Sequence, residues 1–286
     1  MTIQRVGVIG GGLMGSGIAE VAARAGCEVR VHEIDAPAAE VALGRIDRSL
    51  SKALERGKLD EAERDGIRAR ITVSTDILEL ADRQIVIEAA TENEDLKKQL
   101  FTTLDGVVTD SEAILASNTS SIPITRIASV TGRPDHVVGL HFFNPVPVMA
   151  LVELVTTVMS DPAVEQRAQD FAEKLGKTVI RAKDRAGFVV NMLLVPYLLA
   201  GIRMLEAGVA TKEDIDTGMR LGANHPMGPL ELTDFVGLDT TKFVADVLFD
   251  EFKEPLYASP PLLTRMVEAG LNGRKSGRGF YDYRSG

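Results

Sequence analysis

A single cysteine, Cys27, in a chain of 286 residues leaves no internal disulfide framework and fits a reducing compartment. In its apolar setting Cys27 reads as buried filler rather than a nucleophile. Tryptophan is absent, and 4 Tyr with 10 Phe give few stacking platforms for single-stranded nucleic acid. An excess of positive charge is missing as well. The 32 basic residues against 41 acidic leave a formal charge of −9, which excludes a surface built throughout to hold nucleic acid. Long hydrophobic runs are also lacking: the best candidate, residues 188–202, is interrupted by Asn191 and Pro196 and falls short of the ~20 apolar residues of a membrane span. The opening MTIQRVGVIG carries neither a basic-then-apolar signal peptide nor an Arg/Ser-rich transit segment. The expected protein is cytoplasmic, with no nucleic-acid or membrane partner.

What is present is a globular composition, 45% hydrophobic and 26% charged, at a length that suggests two domains. Up to residue 182, short β-branched runs alternate with helical patterns. RVGVI precedes a helix over 13–25; EVRVHE precedes helices over 36–57 and 60–69. ITVS and QIVIEAA follow, then a helix over 94–108, then AILAS, HVVGLHF, LVELV and TVIRA. Strands separated by helices predict an α/β, doubly wound, mostly parallel sheet of the Rossmann-like type. From Phe188 onward the pattern is helical, with breaks at Gly208, Gly222, Gly237 and Pro255. The expected organisation is a sheet domain over 1–186 and an all-α domain over 187–286.

The first strand runs into GVIGGGLMGSG, where Gly10, Gly12 and Gly15 form GxGxxG and the chain then opens a helix. Alone the triplet is weak. In this context the first glycine serves the tight turn, the second lets backbone approach a pyrophosphate, and the third permits close helix-on-strand packing. Amides around Leu13 and Met14 face the phosphates. Glu33 ends the second strand 18 residues after Gly15, where an acid binds the adenosine ribose hydroxyls and repels a 2′-phosphate. NAD is therefore expected over NADP. Arg30, which could accept a 2′-phosphate, lies on the opposite strand face because it is an odd number of residues from Glu33.

Ligands of doubly wound sheets sit beyond the carboxyl ends of the strands, and four polar groups occupy such places. Glu92 and Lys97 follow QIVIEAA, Ser117 and Asn118 end AILAS, His141 and Asn144 end VVGLHFF, and Glu153 interrupts ALVELV. A carboxylate among Leu151, Val152, Leu154 and Val155 is costly without a partner. A reversal centred on NPVPV makes His141 and Glu153 opposite neighbours, because both are equally far from Pro147. A carboxylate that orients an imidazole prepares it as a general base for a hydroxyl proton. The other histidines read more plainly. His136 is expected in a solvated loop, His32 beside the adenine pocket, and His225 in a Pro-bounded turn, structural or functional alike.

The set VGVIGGGLMGSGIA, IEAATEN, ASNTSS, GLHFFNPVPVM, LVELV, GFVVNMLL and HPMGP resembles the short-chain L-3-hydroxyacyl-CoA dehydrogenases, including the 3-hydroxybutyryl-CoA dehydrogenases, from about residue 5 to residue 283. The resemblance implies an NAD-dependent oxidoreductase interconverting a short-chain (S)-3-hydroxyacyl-CoA and its 3-oxoacyl-CoA. It implies His141 as catalytic base oriented by Glu153, with Ser117 and Asn191 on the substrate. Glu92, Lys97, Asn144 and Lys275 would line the NAD site, with Ser117 reaching it too. It further implies a homodimer through the helical domain, an active site closing across the domain boundary, and no metal. Two departures stand out: the family's usual ribose Asp is Glu33 here, and Arg56 replaces its CoA-binding lysine.

Between Arg45 and Lys58 the chain holds five basic residues against two acidic, in a protein of opposite net sign. Ser49, Lys52 and Arg56 share one helix face. In line with the resemblance they seat the CoA phosphates. The plainer reading is a solvated face balanced by Asp60, Glu61, Glu63 and Asp65. Two other functions compete: an NAD-dependent dehydrogenase of a small 3-hydroxy acid without CoA, and a non-catalytic, crystallin-like NAD-binding protein. Chain-length preference, pathway and physiological direction are not legible in the sequence.

Overall fold

The computed structural model describes residues 2–284. The chain divides into two compact units, residues 1–185 and 186–286. The first holds an eight-stranded sheet in the order β3-β2-β1-β4-β5-β6-β7-β8. The strands are β1 (Arg5–Ile9), β2 (Glu28–His32), β3 (Ile71–Ser74), β4 (Ile85–Glu88), β5 (Ile114–Ser117), β6 (Val137–Phe142), β7 (Leu151–Thr156) and β8 (Thr178–Lys183). All neighbours run parallel except β6 and β7. Every residue of β4, β5 and β6 is buried, which is why their sequences read as continuous apolar runs instead of alternating ones.

The helices of this unit are α1 (Leu13–Arg24), α2 (Ala36–Glu55), α3 (Glu61–Ala69), α4 (Glu94–Val107), α5 (Ile124–Ala128) and α6 (Pro162–Lys174). Their starts follow local chemistry. Asp35 caps α2, Asp60 and Glu63 form a reciprocal capping box on α3, and Asn93 caps α4. Helices α5 and α6 add to those read from the sequence. The signal for α6 is Asp161 capping a helix with Pro162 in its first turn, followed by buried Val164, Ala168, Phe171 and Ala172 at helical spacing. Because β2 and β4 flank β1 on opposite sides, the chain reverses direction across the sheet at β1, the crevice where such sheets bind ligands.

The second unit is built from α7 (Val190–Glu206), α8 (Lys212–Thr217), α9 (Pro229–Val236), α10 (Leu238–Phe252) and α11 (Pro261–Glu268), packed around Leu199, Ile202, Leu230, Leu238, Leu248 and Leu263. Its last segment is tied down by two buried carboxylates. Asp234 accepts the amides of Phe280 and Tyr281 and the Tyr283 hydroxyl, while Asp216 accepts the Tyr281 hydroxyl and the amides of Leu230 and Glu231. Burial raises the Asp234 carboxyl above its ordinary range. Among the described residues no helix is long and apolar enough to cross a membrane.

Candidate active site

The glycine turn between β1 and α1 distributes its roles by space. Gly10 has φ +86°, and a Cβ on Gly15 would lie 1.7 Å from the Gly10 carbonyl oxygen, so only a hydrogen lets α1 pack this closely. Gly11, not singled out in the sequence, is equally constrained: its Cβ would meet that of Ala42 at 2.3 Å. At Gly12 a Cβ would meet nothing within 4 Å, so the backbone is bare toward open space. The helix start has no side-chain cap and no acid in its first turn, leaving the amides of Leu13, Met14 and Gly15 for a diphosphate.

Just past β2, Glu33 accepts the Gly11 amide at 2.5 Å and the Ile34 amide at 3.2 Å, which fixes the carboxylate beside the turn. Arg30 is held by the Glu79 carbonyl and by Glu28. The neighbouring His32 keeps a buried Nδ1 without a partner among the described residues, and burial lowers its pKa, partly offset by Glu33 and Asp76, which favours the neutral ring. A bare turn, free amides, a carboxylate past the second strand and an orphaned ring nitrogen together fit a dinucleotide. NADPH is expected to bind about 100-fold more weakly than NADH, because its 2′-phosphate would face the Glu33 carboxylate. Fluorescence titration of both cofactors checks this, and Glu33→Ser should shrink the gap.

On the other side of β1 lies a network the sequence only half revealed. Glu88, the last residue of β4, is fully buried and pairs in register with Ser117 at the end of β5. It accepts the Lys97 ammonium at 2.5 Å, the Ala90 amide at 2.7 Å and the Ser117 hydroxyl at 2.6 Å. Lys97, also buried, reaches Glu92 at 3.2 Å. Glu92 in turn collects the hydroxyls of Thr119 and Ser121 and the Ser120 amide. Burial alone would raise the Glu92 carboxyl; the Lys97 ammonium and the two hydroxyls outweigh it and hold the group below its ordinary range. Ser117 is fully buried. Its proton goes to Glu88 inside the sheet, and the half-buried Ser120 carries the one hydroxyl of residues 117–121 with no hydrogen-bond partner among the described residues.

His141 and Glu153 are Cα partners across the antiparallel β6–β7 pair, and Nδ1 lies 2.6 Å from Oε2. An ionised carboxylate only accepts, so Nδ1 carries the proton and the Nε2 lone pair is the basic end. The Phe143 ring packs on the imidazole at 4.6 Å between centroids. Asn118 accepts the Phe142 amide and so pins the end of β6. Behind the reversal, the buried Lys177 donates to the carbonyls of Val146 and Met149 at 2.5 and 2.8 Å, an anchor that no sequence pattern marked.

Asn144 lies in that connection, in the wall of a cavity of about 550 Å³ that also takes in Ser49, Lys52 and Arg56. Arg45, Arg48 and Lys58 line it too, as does Arg24, whose guanidinium is held by the buried Glu20 at 2.6 Å. Among the described residues none of Arg45, Arg48, Lys52, Arg56 and Lys58 forms an ion pair. Of the acids expected to balance them, Asp60 and Glu63 are taken up by the capping box and Asp65 by Arg64, and Glu61 forms no ion pair among the described residues; Asp47, within the basic stretch, pairs with Arg68. The cavity is therefore strongly cationic.

Other expected positions fall as follows. Asn191 is the second residue of α7, and Lys275 is paired with Asp239 at 2.6 Å, both in the second unit. His225 contacts the Tyr197 hydroxyl at 3.0 Å. His136 is not solvated as expected: in a 3-10 turn just before β6 its side chain is only 17% exposed and pairs with Asp135. Cys27 is free and fully buried. Among the described residues no cluster of His, Cys, Asp or Glu is placed to hold a metal ion.

Comparison with known proteins agrees over the whole chain. Residues 5–185 match the 3-hydroxyacyl-CoA dehydrogenase NAD binding domain, and residues 187–283 match the 3-hydroxyacyl-CoA dehydrogenase C-terminal domain. A 3-hydroxybutyryl-CoA dehydrogenase of Mycobacterium tuberculosis is 58% identical, covering 98% of this chain and 99% of that protein. Among solved structures, FadB2 of M. tuberculosis superposes with a TM-score of 0.98 at 58% identity, covering 99% of this chain and 100% of that one. The (S)-3-hydroxybutyryl-CoA dehydrogenase PaaH1 of Ralstonia eutropha gives 0.94 at 45% identity, covering 99% of each chain.

Proposed function

The chain belongs to the 3-hydroxyacyl-CoA dehydrogenase family and is an NAD-dependent oxidoreductase, and from that premise we propose that it interconverts short-chain (S)-3-hydroxyacyl-CoA and 3-oxoacyl-CoA, with 3-hydroxybutyryl-CoA and acetoacetyl-CoA as the pair. The observation that carries this reading is the buried His141–Glu153 contact at the carboxyl end of the sheet. Bound NAD supplies the hydride acceptor; the protein supplies proton handling and orientation. In the oxidising direction His141 Nε2 takes the proton of the C3 hydroxyl. Glu153 stabilises the imidazolium that forms, and in the reducing direction the same imidazolium returns the proton to the 3-oxo oxygen. Ser120 holds the substrate oxygen, with Ser117 acting behind it through Glu88. Asn191, Asn144 and Lys275 keep the ligand roles that the resemblance implies, Asn191 toward substrate and the other two toward cofactor.

The cationic cavity seats the CoA phosphates through Ser49, Lys52 and Arg56, with Arg24 held ready by Glu20. A charge-reversed Lys52→Glu, Arg56→Glu enzyme should raise KM for the acyl-CoA by about tenfold or more with little change in kcat, an effect that weakens with added salt. A cytoplasmic location and a homodimer complete the reading; exposed Leu193 and Met204 on α7 supply apolar surface for such an interface.

NADH oxidation with acetoacetyl-CoA, followed by absorbance, tests the proposal. No turnover at any acyl chain length would overturn it, and tight NADH binding without turnover would favour a non-catalytic role. Inhibition by free CoA separates it from a dehydrogenase of a small non-CoA hydroxy acid, which CoA would leave untouched.

A further inference from the structure

We propose that the buried Glu88–Lys97–Glu92 cluster biases the balance between oxidised and reduced cofactor, strengthening NAD⁺ binding relative to NADH beyond what a neutral cluster would give, through a fixed net negative charge beside the nicotinamide. The proposal rests on the cofactor assignment and goes beyond it.

Hydrogen-bond polarity gives the charges. The three groups bonded to Glu88 are all donors: an ammonium, a backbone amide and a hydroxyl. Its carboxylate accepts them all and needs no proton of its own. Glu92 likewise receives two hydroxyls, one amide and the ammonium. Lys97 faces only acceptors, namely Glu88, Glu92 and the Ala90 carbonyl, so it is charged. Two carboxylates and one ammonium leave a net charge of −1. Glu88 and Lys97 are 0% and 1% exposed and Glu92 about a quarter, so water screens this charge poorly.

Topology places the cluster on the nicotinamide side. The ribose acid Glu33 lies past β2, and the bare turn for the diphosphate lies past β1. A dinucleotide spans the crevice at β1, so its second half falls over β4 and β5, whose last residues are Glu88 and Ser117. The redox partners differ in charge there: the nicotinamide ring is cationic in NAD⁺ and neutral in NADH. A buried negative charge therefore acts on one oxidation state and barely on the other. By linkage, the bound cofactor becomes harder to reduce, since NAD⁺ must gain two electrons and one proton to give NADH and in doing so loses the favourable charge contact.

The test is a set of three dissociation constants: NADH by fluorescence titration, NAD⁺ by displacement of NADH, and ADP-ribose, which lacks the nicotinamide, by the same displacement. Glu92→Gln, at the partly exposed member, and Glu88→Gln, at the buried one, each bring the cluster to neutral. The ratio Kd(NAD⁺)/Kd(NADH) should rise at least about threefold in both, while ADP-ribose binds as to the wild type. Equal weakening of all three ligands would mean that the cluster only shapes the loop, and the proposal would fail. An unchanged or lowered ratio would overturn it as well. A wild-type enzyme that bound neither NADH nor ADP-ribose would remove the cofactor assignment itself, a failure distinct from that of the charge argument.

Discussion

Replacing His141 with Gln should lower kcat by about 10²- to 10⁴-fold, the range a positioned general base contributes, while NADH and acyl-CoA bind within a few-fold of the wild type. The side chain sits at the end of β6, held by Glu153 and packed against Phe143. Gln is polar and of similar length, so the pocket persists while the proton acceptor is gone. Steady-state kinetics with NADH and acetoacetyl-CoA, beside cofactor titration, separate chemistry from binding. A variant that kept more than about a tenth of wild-type kcat would reject His141 as the base without disturbing the enzyme class. Glu153→Gln probes the other half of the pair. Its amide can donate to Nδ1 and so reverse the tautomer, placing the proton on Nε2 where the lone pair is needed, and it cannot neutralise the imidazolium. A kcat loss of the same order is expected, with the activity–pH profile displaced as well.

The second large effect separates two glycines of one motif. In Gly15→Ala the new methyl would lie 1.7 Å from a backbone oxygen of Gly10. Main chain stands on both sides, so no rotamer relieves the overlap and α1 must lift away from β1. A loss on the order of 4 kcal/mol is expected, at the extreme end of single substitutions. Thermal unfolding should begin roughly 10 °C lower, or folded protein should fail to accumulate. Gly12→Ala is the counterpart: its Cβ meets no atom within 4 Å and its φ of −63° suits any residue. This variant should melt with the wild type yet bind NADH at least about tenfold more weakly, because the methyl occupies the approach to the diphosphate. Equal melting of the Gly15 and Gly12 variants would contradict the packing argument.

Much of this was legible in the residues. The eight strands showed because buried β-branched runs have few alternative homes. The His141–Glu153 contact followed from the symmetry of the residues around Pro147 and the cost of an isolated carboxylate. The same cost argument applies to Glu88, which stands buried after Ile85, Val86 and Ile87 with only the Ala90 amide as a partner nearby in sequence. Its partners, Lys97 and Ser117, come from a helix and a neighbouring strand, and only the fold brings them together. Ser117 reads as a ligand residue in the sequence because it ends a strand, and Ser120 carries no such mark. Strand ends in a parallel sheet can point inward to a neighbouring carboxylate, and that orientation is a matter of register with β4. Lys177 was invisible for a different reason: it binds main-chain carbonyls, which every residue carries. The cavity cations were seen as a helix face, but whether nearby acids neutralised them depended on contacts such as Asp47 with Arg68.

The antiparallel register of β6 and β7 has a consequence for how the chain can drift in length. In such a ladder each residue slides against its partner in opposite directions, and faces alternate every residue. His141 faces Glu153 with Gly139 opposite Val155 and Phe142 opposite Val152. A deletion or insertion confined to residues 143–150 can be absorbed by the turn if the ladder holds. One that slips the ladder by a single residue puts Leu154 or Val152 against the imidazole. A change in the length of the turn must therefore leave the strand pairing untouched to retain the His141–Glu153 contact.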